Sequence, residues 1–212
     1  MSNNNNNNKH IVQCKIVSID GNIGAGKSSV LKELEKEHGF VVFQEDINSW
    51  KEMLDAFYEK PQRWSFTLQM AILNSLHDQL QQIKELPSNN DIIFKERAPA
   101  SSRIFAEISK SEGFLCDEEF KIYEGIFDKL IWKPDLKLFI DTNVSTCMER
   151  IARRGRNCEK NIKHTYLEKL EEGYRKDSSS SFDACFSGNK EICAIANDII
   201  ETVSSYKIQN NS

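Results

Sequence analysis

A short β-branched run, a glycine-rich loop and an amphipathic segment follow one another between residues 15 and 35, and this succession constrains the fold more than any other feature of the chain. Lys15-Ile16-Val17-Ser18-Ile19 reads as a strand. Gly21-Asn22-Ile23-Gly24-Ala25-Gly26-Lys27-Ser28 then matches the phosphate-binding pattern G-x-x-x-x-G-K-[ST]. From Ser28 and Ser29 to Glu35 the chain reads as a helix with Val30, Leu31 and Leu34 on one face. Glycines let the loop wrap closely around a phosphate chain, because a Cβ would clash or block the required φ angles. Successive N–H groups turn inward onto anionic oxygen. Lys27 supplies a point charge for the β- and γ-phosphates, and Ser28 a hydroxyl for Mg²⁺. Strand, loop and helix in this order aim a helix N-terminus at phosphate. The alternative is a glycine-rich turn with an incidental Lys, and the flanking elements count against it.

The chain has 212 residues, enough for one domain with a sizeable core. The net charge of −4 gives no electrostatic footprint for a nucleic-acid polymer or an anionic membrane. A nucleotide would thus be a small ligand. No apolar run approaches the roughly 20 residues of a membrane span, and the N-terminus has no apolar signal region. The six cysteines, Cys14, Cys116, Cys147, Cys158, Cys185 and Cys193, are scattered, with no C-x-x-C pair. They read as free thiols in a reducing, cytoplasmic setting, without a structural zinc. His10, His38, His77 and His164 are likewise isolated.

The asparagine tract Asn3 to Asn8 offers nothing apolar to bury, and residues 1–12 with the similar tail 207–212 are expected to be disordered. Residues 13–206 read as a single domain in which short strands alternate with helices. Strands are expected at Phe40–Phe43, Asp91–Lys95, Leu136–Asp141 and, more weakly, Ile192–Ile195. Helices are expected at Met53–Tyr58, Ser65–Leu86, Glu118–Trp132, after Asp141 through Arg153, at Thr165–Lys176 and at Ala196–Tyr206. The fold class is α/β: a parallel sheet of about five strands with helices on both faces. Ligands in such sheets bind beyond the carboxyl ends of the strands.

Three segments lie there. Gln44-Glu45-Asp46 through Trp50 follows the second strand, Glu96-Arg97 the third, and Arg150 to Glu159 comes one helix after the fourth. The last holds Arg150, Arg153, Arg154 and Arg156 around Gly155, four arginines in seven residues. A solvated charged face is the ordinary reading of such a run. The glycine, the broken helical pattern and the phosphate site favour a mobile lid that supplies charge to a migrating phosphoryl group and excludes water. Glu45 and Glu96 are candidates to accept a hydroxyl proton. Their bland alternatives are a cap or exposed acid for Glu45, and an ion pair with Arg97 for Glu96. Glu96 is also placed to act through Mg²⁺. Gln69 is a polar residue among apolar neighbours, able to donate and accept side by side as a nucleobase edge requires.

Together, Gly21 to Ser28, Glu45 with Trp50, the segment Tyr58 to Gln69, Glu96-Arg97 and Arg150 through Glu159 resemble the deoxyribonucleoside kinases over residues 14 to 176. The resemblance implies transfer of a phosphoryl group from ATP, with Mg²⁺, to the 5′-hydroxyl of a deoxynucleoside, a small-molecule partner. It implies that Glu45 contacts that hydroxyl as general base and that Arg97 holds the same oxygen, with Glu96 as the rival base or the metal-side partner. Tyr58 and Glu159 would bind the sugar 3′-hydroxyl, Gln69 the base edge, and Trp50 would line the pocket. Lys27, Arg150, Arg154 and Arg156 would surround the phosphates. A homodimer built through helices is implied as well, with Phe120, Tyr123 and Phe127 available for its interface.

This sequence departs from the family pattern in ways that bear on specificity. Ala98 and Pro99 follow Glu96-Arg97 where Ser is usual. Leu76 and Ser102 stand where deoxycytidine and deoxyguanosine kinases carry an Arg and an Asp facing the base. Loss of that charged pair leaves room for a thymine methyl and favours pyrimidine deoxynucleosides, thymidine included. The nearest rival is a nucleoside monophosphate kinase of thymidylate kinase type, against which the Glu45 to Trp50 spacing argues. A GTPase-type switch lacks its guanine motif, since Asn189-Lys190-Glu191-Ile192 has no Asp.

Overall fold

The computed structural model describes residues 15–87, 92–156, 159–176 and 181–210. The asparagine tract, His10, Cys14, Asp91 and Cys158 lie outside the described residues.

Five parallel strands form one sheet in the order β2-β3-β1-β4-β5. They are β1 (Lys15–Asp20), β2 (Val41–Phe43), β3 (Ile92–Glu96), β4 (Leu136–Asp141) and β5 (Ala184–Ser187). β1 is central. Val17 pairs with Phe94 of β3 on one side and Leu136 of β4 on the other. Its last four residues are buried, which suits a strand covered on both faces. Eight helices are described: α1 (Lys27–Lys36), α2 (Ile47–Glu59), α3 (Pro61–Lys84), α4 (Pro99–Ser111), α5 (Asp117–Leu130), α6 (Val144–Arg154), α7 (His164–Lys176) and α8 (Ile192–Asn210).

Local chemistry explains several boundaries. Pro61 and Pro99 open α3 and α4 at positions where a missing N–H costs nothing. Asn143 caps α6 by accepting from the Thr146 N–H at 2.8 Å. Cys116 caps α5 through its sulfur, and Glu119 closes a capping box. The main core joins the sheet to α1, α6, α7 and α8, with Ile19, Leu31, Leu138, Leu167 and Ile199 fully buried. Two satellite clusters pack α3 against α4 and α5, and α2 against α3.

Three expectations need correction. Ile192–Ile195 is not a strand but the first turn of α8. Its apolar residues continue at Ala196, Ile199 and Val203 with helical spacing, so one face is buried from Ile195 to Val203. The fifth strand is instead Ala184–Ser187, a short edge strand of which only Phe186 is buried. Phe120, Tyr123 and Phe127 are buried within the chain against Leu73, Ala106 and Leu115, so they do not offer an interface. The arrangement also contains α4, which the sequence reading lacked, and α8 runs past the expected end at Tyr206.

Candidate active site

The glycine loop sits at the carboxyl end of β1, in the middle of the sheet. Gly24 has φ +81°, and a Cβ there would lie 2.6 Å from the Cys147 carbonyl of α6. At Gly21 a Cβ would meet the Ile140 carbonyl of β4 at 2.8 Å. Close approach is thus needed twice over, first to the protein's own backbone and then to a ligand. The outer wall is pinned as well. The Ala25 carbonyl accepts from Thr142 Oγ1 and from Arg150 Nη1, both at 3.0 Å, and Arg150 Nη2 donates to the Gly188 carbonyl at 2.8 Å. Asn22 Nδ2 reaches the Leu167 carbonyl at 2.9 Å. Lys27 curls back so that Nζ donates to the Asn22 carbonyl at 2.9 Å and lies 3.8 Å from Glu96 Oε1. Burial, with the charge of Arg97 adding to it, lowers the Lys27 pKa to about 8.

The ends of β2 and β3 supply a second cluster facing this loop. Ser28 Oγ lies 3.1 and 3.0 Å from the two carboxylate oxygens of Glu96. Arg97 Nε donates to Glu45 Oε2 at 3.3 Å. The local Glu96–Arg97 ion pair weighed as an alternative is therefore not formed. Glu96 turns toward the phosphate loop, and Arg97 takes Glu45 instead. Arg97 has φ +62°, an uncommon conformation for a residue with a side chain. It is held there by its N–H to the Ile19 carbonyl at 3.1 Å and by the next N–H, Ala98, to the buried carboxylate of Asp20 at 3.1 Å. Ser101 also donates to Asp20, whose pKa burial raises. The guanidinium reaches the Gly21 carbonyl at 3.1 Å and the Tyr174 hydroxyl, and it lies over the Phe105 ring, 4.9 Å from the centroid.

Both clusters open onto one cavity of about 770 Å³. Of the residues singled out from the sequence, Ile23, Gly24, Gly26, Lys27, Ser28 and Ser29 line its floor. Glu45, Trp50, Tyr58, Gln69, Leu76, Glu96, Arg97, Ser102, Arg150, Arg154, Arg156 and Glu159 line its walls. Gly21, Asn22 and Ala25 do not border it and serve as the frame described above. Trp50 interrupts α2 with φ −130°, a kink that leaves its ring buried beside the cavity. Gln69 is buried, and its Oε1 has no hydrogen-bond partner. A buried amide oxygen left unpaired costs free energy unless a ligand completes it. Ser102 Oγ lies 3.0 Å from the Tyr123 hydroxyl. Glu159 is gripped by Arg154 through two bonds of 2.5 and 2.6 Å, with Arg156 at 3.4 Å.

Sequence reasoning missed Phe105 and Tyr166, which also line the cavity, and the supports Asp20 and Tyr174. Phe105 sits on the unrecognised α4. The signal for it was an aromatic residue two turns into a segment opened by Pro99.

A family model for deoxynucleoside kinases matches residues 17–208. The chain belongs to the deoxynucleoside kinase family. This kinase is 32% identical to the deoxyguanosine kinase of Dictyostelium discoideum over 76% of its own length and 58% of that protein's. It is 31% identical to the deoxyguanosine kinase of Bacillus subtilis over 74% of its own length and 75% of the relative's. With the deoxyadenosine/deoxycytidine kinase of the same bacterium the identity is 26%, over 83% and 82%. The structure of a deoxyadenosine kinase from M. mycoides superimposes with a TM-score of 0.79, at 22% identity, over 90% of this chain and 99% of that one. That likeness shows the α/β kinase fold. As a member of the family, this kinase phosphorylates deoxynucleosides and uses ATP. No helix among its described residues is long and apolar enough to cross a membrane.

Proposed function

We propose that this kinase transfers the γ-phosphoryl group of ATP to the 5′-hydroxyl of pyrimidine deoxynucleosides, thymidine included. The observation that carries the reading is the Glu45–Arg97 pair, 3.3 Å apart and facing the phosphate loop across the cavity. A hydroxyl placed between them meets an acceptor for its proton and a donor for its oxygen. Lys27, Arg150, Arg154 and Arg156 surround the transferred group and balance its charge. Gln69 offers its unpaired Oε1 to the base edge, and Phe105 offers a ring face beside it. Tyr58 and Glu159 serve the sugar 3′-hydroxyl. Trp50 closes the apolar side.

The pyrimidine preference rests on Leu76 and Ser102. Neither brings a charge to the base pocket, and Ser102 is already engaged with Tyr123. The relatives named above act on deoxyguanosine, deoxyadenosine and deoxycytidine, so thymidine is where this chain is expected to diverge from them. A hydroxyl and a carboxylate suit Mg²⁺, which takes oxygen ligands. Ser28 Oγ and Glu96 form such a set, 3.0 Å apart. Ser28 and Glu96 would hold Mg²⁺ there, and the ion would supply charge neutralisation for the donor phosphates. We further propose a cytoplasmic homodimer, its interface drawn from exposed apolar residues such as Ile122 and Ile131 and not from buried Phe120, Tyr123 or Phe127.

Purified kinase supplied with ATP and each of the four deoxynucleosides, and separately with thymidine monophosphate, tests the substrate reading. Thymidine and deoxycytidine are expected to turn over fastest. Turnover of purine deoxynucleosides alone would overturn the pocket assignment, and turnover of the monophosphate alone the acceptor assignment. Glu45→Gln is expected to lower kcat by about 10²-fold or more while nucleoside binding persists. A near-normal rate removes Glu45 as the base.

A further inference from the structure

Lys95 is fully buried on β3, immediately before the Glu96–Arg97 pair. Its neighbours in the sheet are Phe43 of β2 and Ser18 of β1. Its ammonium meets an amide oxygen and a carbonyl rather than a carboxylate: Gln79 Oε1 at 2.6 Å and the Glu96 carbonyl at 3.4 Å. A buried cation held this way is costly, and an apolar side chain would serve the sheet face at lower cost. The contacts that Lys95 makes point to what it contributes. Gln79 is itself buried on α3, the helix that carries Gln69 and Leu76. Its Nε2 donates to the Gln44 carbonyl at 2.8 Å, and Gln44 is the residue before Glu45. The loop that bears Glu45 leaves a strand of only three residues, each half-buried. A second tie from this loop to the sheet, the Glu45 N–H to Glu96 Oε2, is longer at 3.4 Å.

We propose that Lys95 is a positioning residue: through Gln79 it fastens the end of β3, helix α3 and the Glu45 loop into one unit, so that the helix meeting the nucleoside base fixes where Glu45 meets the 5′-hydroxyl. The proposal rests on the roles of Glu45 and Gln69 stated above. The chain of contacts runs through one side-chain amide, Gln79, with its acceptor and its donor both in use, so each link has a defined direction. A misplacement of about 1 Å at a reacting group costs on the order of 10²-fold in rate, which is the scale on which a loosened loop acts.

Two variants separate this role from simple packing. Gln79→Glu keeps an acceptor for Lys95 but has no N–H for the Gln44 carbonyl. Lys95→Met combined with Gln79→Leu replaces the buried pair by apolar groups of similar volume. Thermal midpoints and kcat and KM for thymidine and for ATP are measured on both. The expected result is a midpoint near that of the parent, kcat lowered about tenfold or more in both, and an unchanged KM for ATP, because the phosphate loop is untouched. Values of kcat within twofold of the parent in both variants would overturn the proposal, whatever the midpoints do. If the double variant does not fold, Gln79→Glu decides alone. Glu45→Gln is run in parallel. Full activity there refutes the reading of Glu45 itself, whereas a loss there beside intact clamp variants refutes only the clamp.

Discussion

The two ends of the cavity are built by different means. At the proposed donor end the groups offered to a ligand are backbone N–H groups of one continuous loop, and its Gly21 and Gly24 are wedged against carbonyls of β4 and α6. At the proposed acceptor end the groups are side chains from the β2 and β3 ends, α2, α3 and α4, with Arg97 held by Tyr174 and Ser102 by Tyr123. A backbone site is specified by conformation and tolerates almost no change of shape. A side-chain site is specified by partners, so its selectivity can be altered while the fold stands.

Gly24→Ala should show this contrast at its largest. A Cβ meets the Cys147 carbonyl at 2.6 Å and φ is +81°, so the expected cost is at least about 2 kcal/mol. That corresponds to a fall in Tm of roughly 4–8 °C, read by calorimetry, together with loss of ATP binding. A variant with the parent's Tm and ATP affinity would break the claim that the donor end is set by backbone packing.

Next in size is a change confined to the other end. Leu76→Arg with Ser102→Asp introduces a charged pair beside Gln69, the new carboxylate within reach of the Tyr123 hydroxyl. We expect kcat/KM for thymidine to fall about 10- to 100-fold, with KM for ATP unchanged. Equal losses for every deoxynucleoside would show that the base is read elsewhere.

The smallest effect expected is electrostatic. The ordinary Lys pKa of 10.5 is lowered to about 8 at Lys27 by burial and by the charge of Arg97. The ammonium proposed to bind phosphate therefore loses its proton as pH rises through about 8, not near 10.5. ATP affinity of the free enzyme should hold below that value and weaken by up to about tenfold per pH unit above it. Calorimetric titration at pH 7, 8 and 9 reads this directly, and a flat profile would place the Lys27 pKa higher.

The same contrast decides what could be read from the sequence. The donor end was legible because its signals are contiguous: one strand, one loop and one helix within about two dozen residues of one another. Glu45, Glu96 and Arg97 were legible as strand-end residues, but not their pairing. Arg97 reaches back over Glu45 only because the left-handed backbone at residue 97 turns it there. Helix α4 was hidden because Pro99-Ala100-Ser101-Ser102 reads as loop, while its serines are buried against Asp20 and Tyr123 in place of apolar groups. The last strand was misplaced because Ile192-Cys193-Ala194-Ile195 is locally as strand-like as helical, and only the residues beyond it settle the period.

The Gly24–Cys147 contact also bears on movement. It sits in the first turns of α6, so that helix is anchored at its root to the phosphate loop and cannot tilt as a rod without dragging the loop along. Gly155, with φ +64°, ends the helix just past Arg154. If the arginine segment moves as the proposed lid, this glycine is the hinge expected for it, with Arg150 on the stationary side and Arg156 on the moving side.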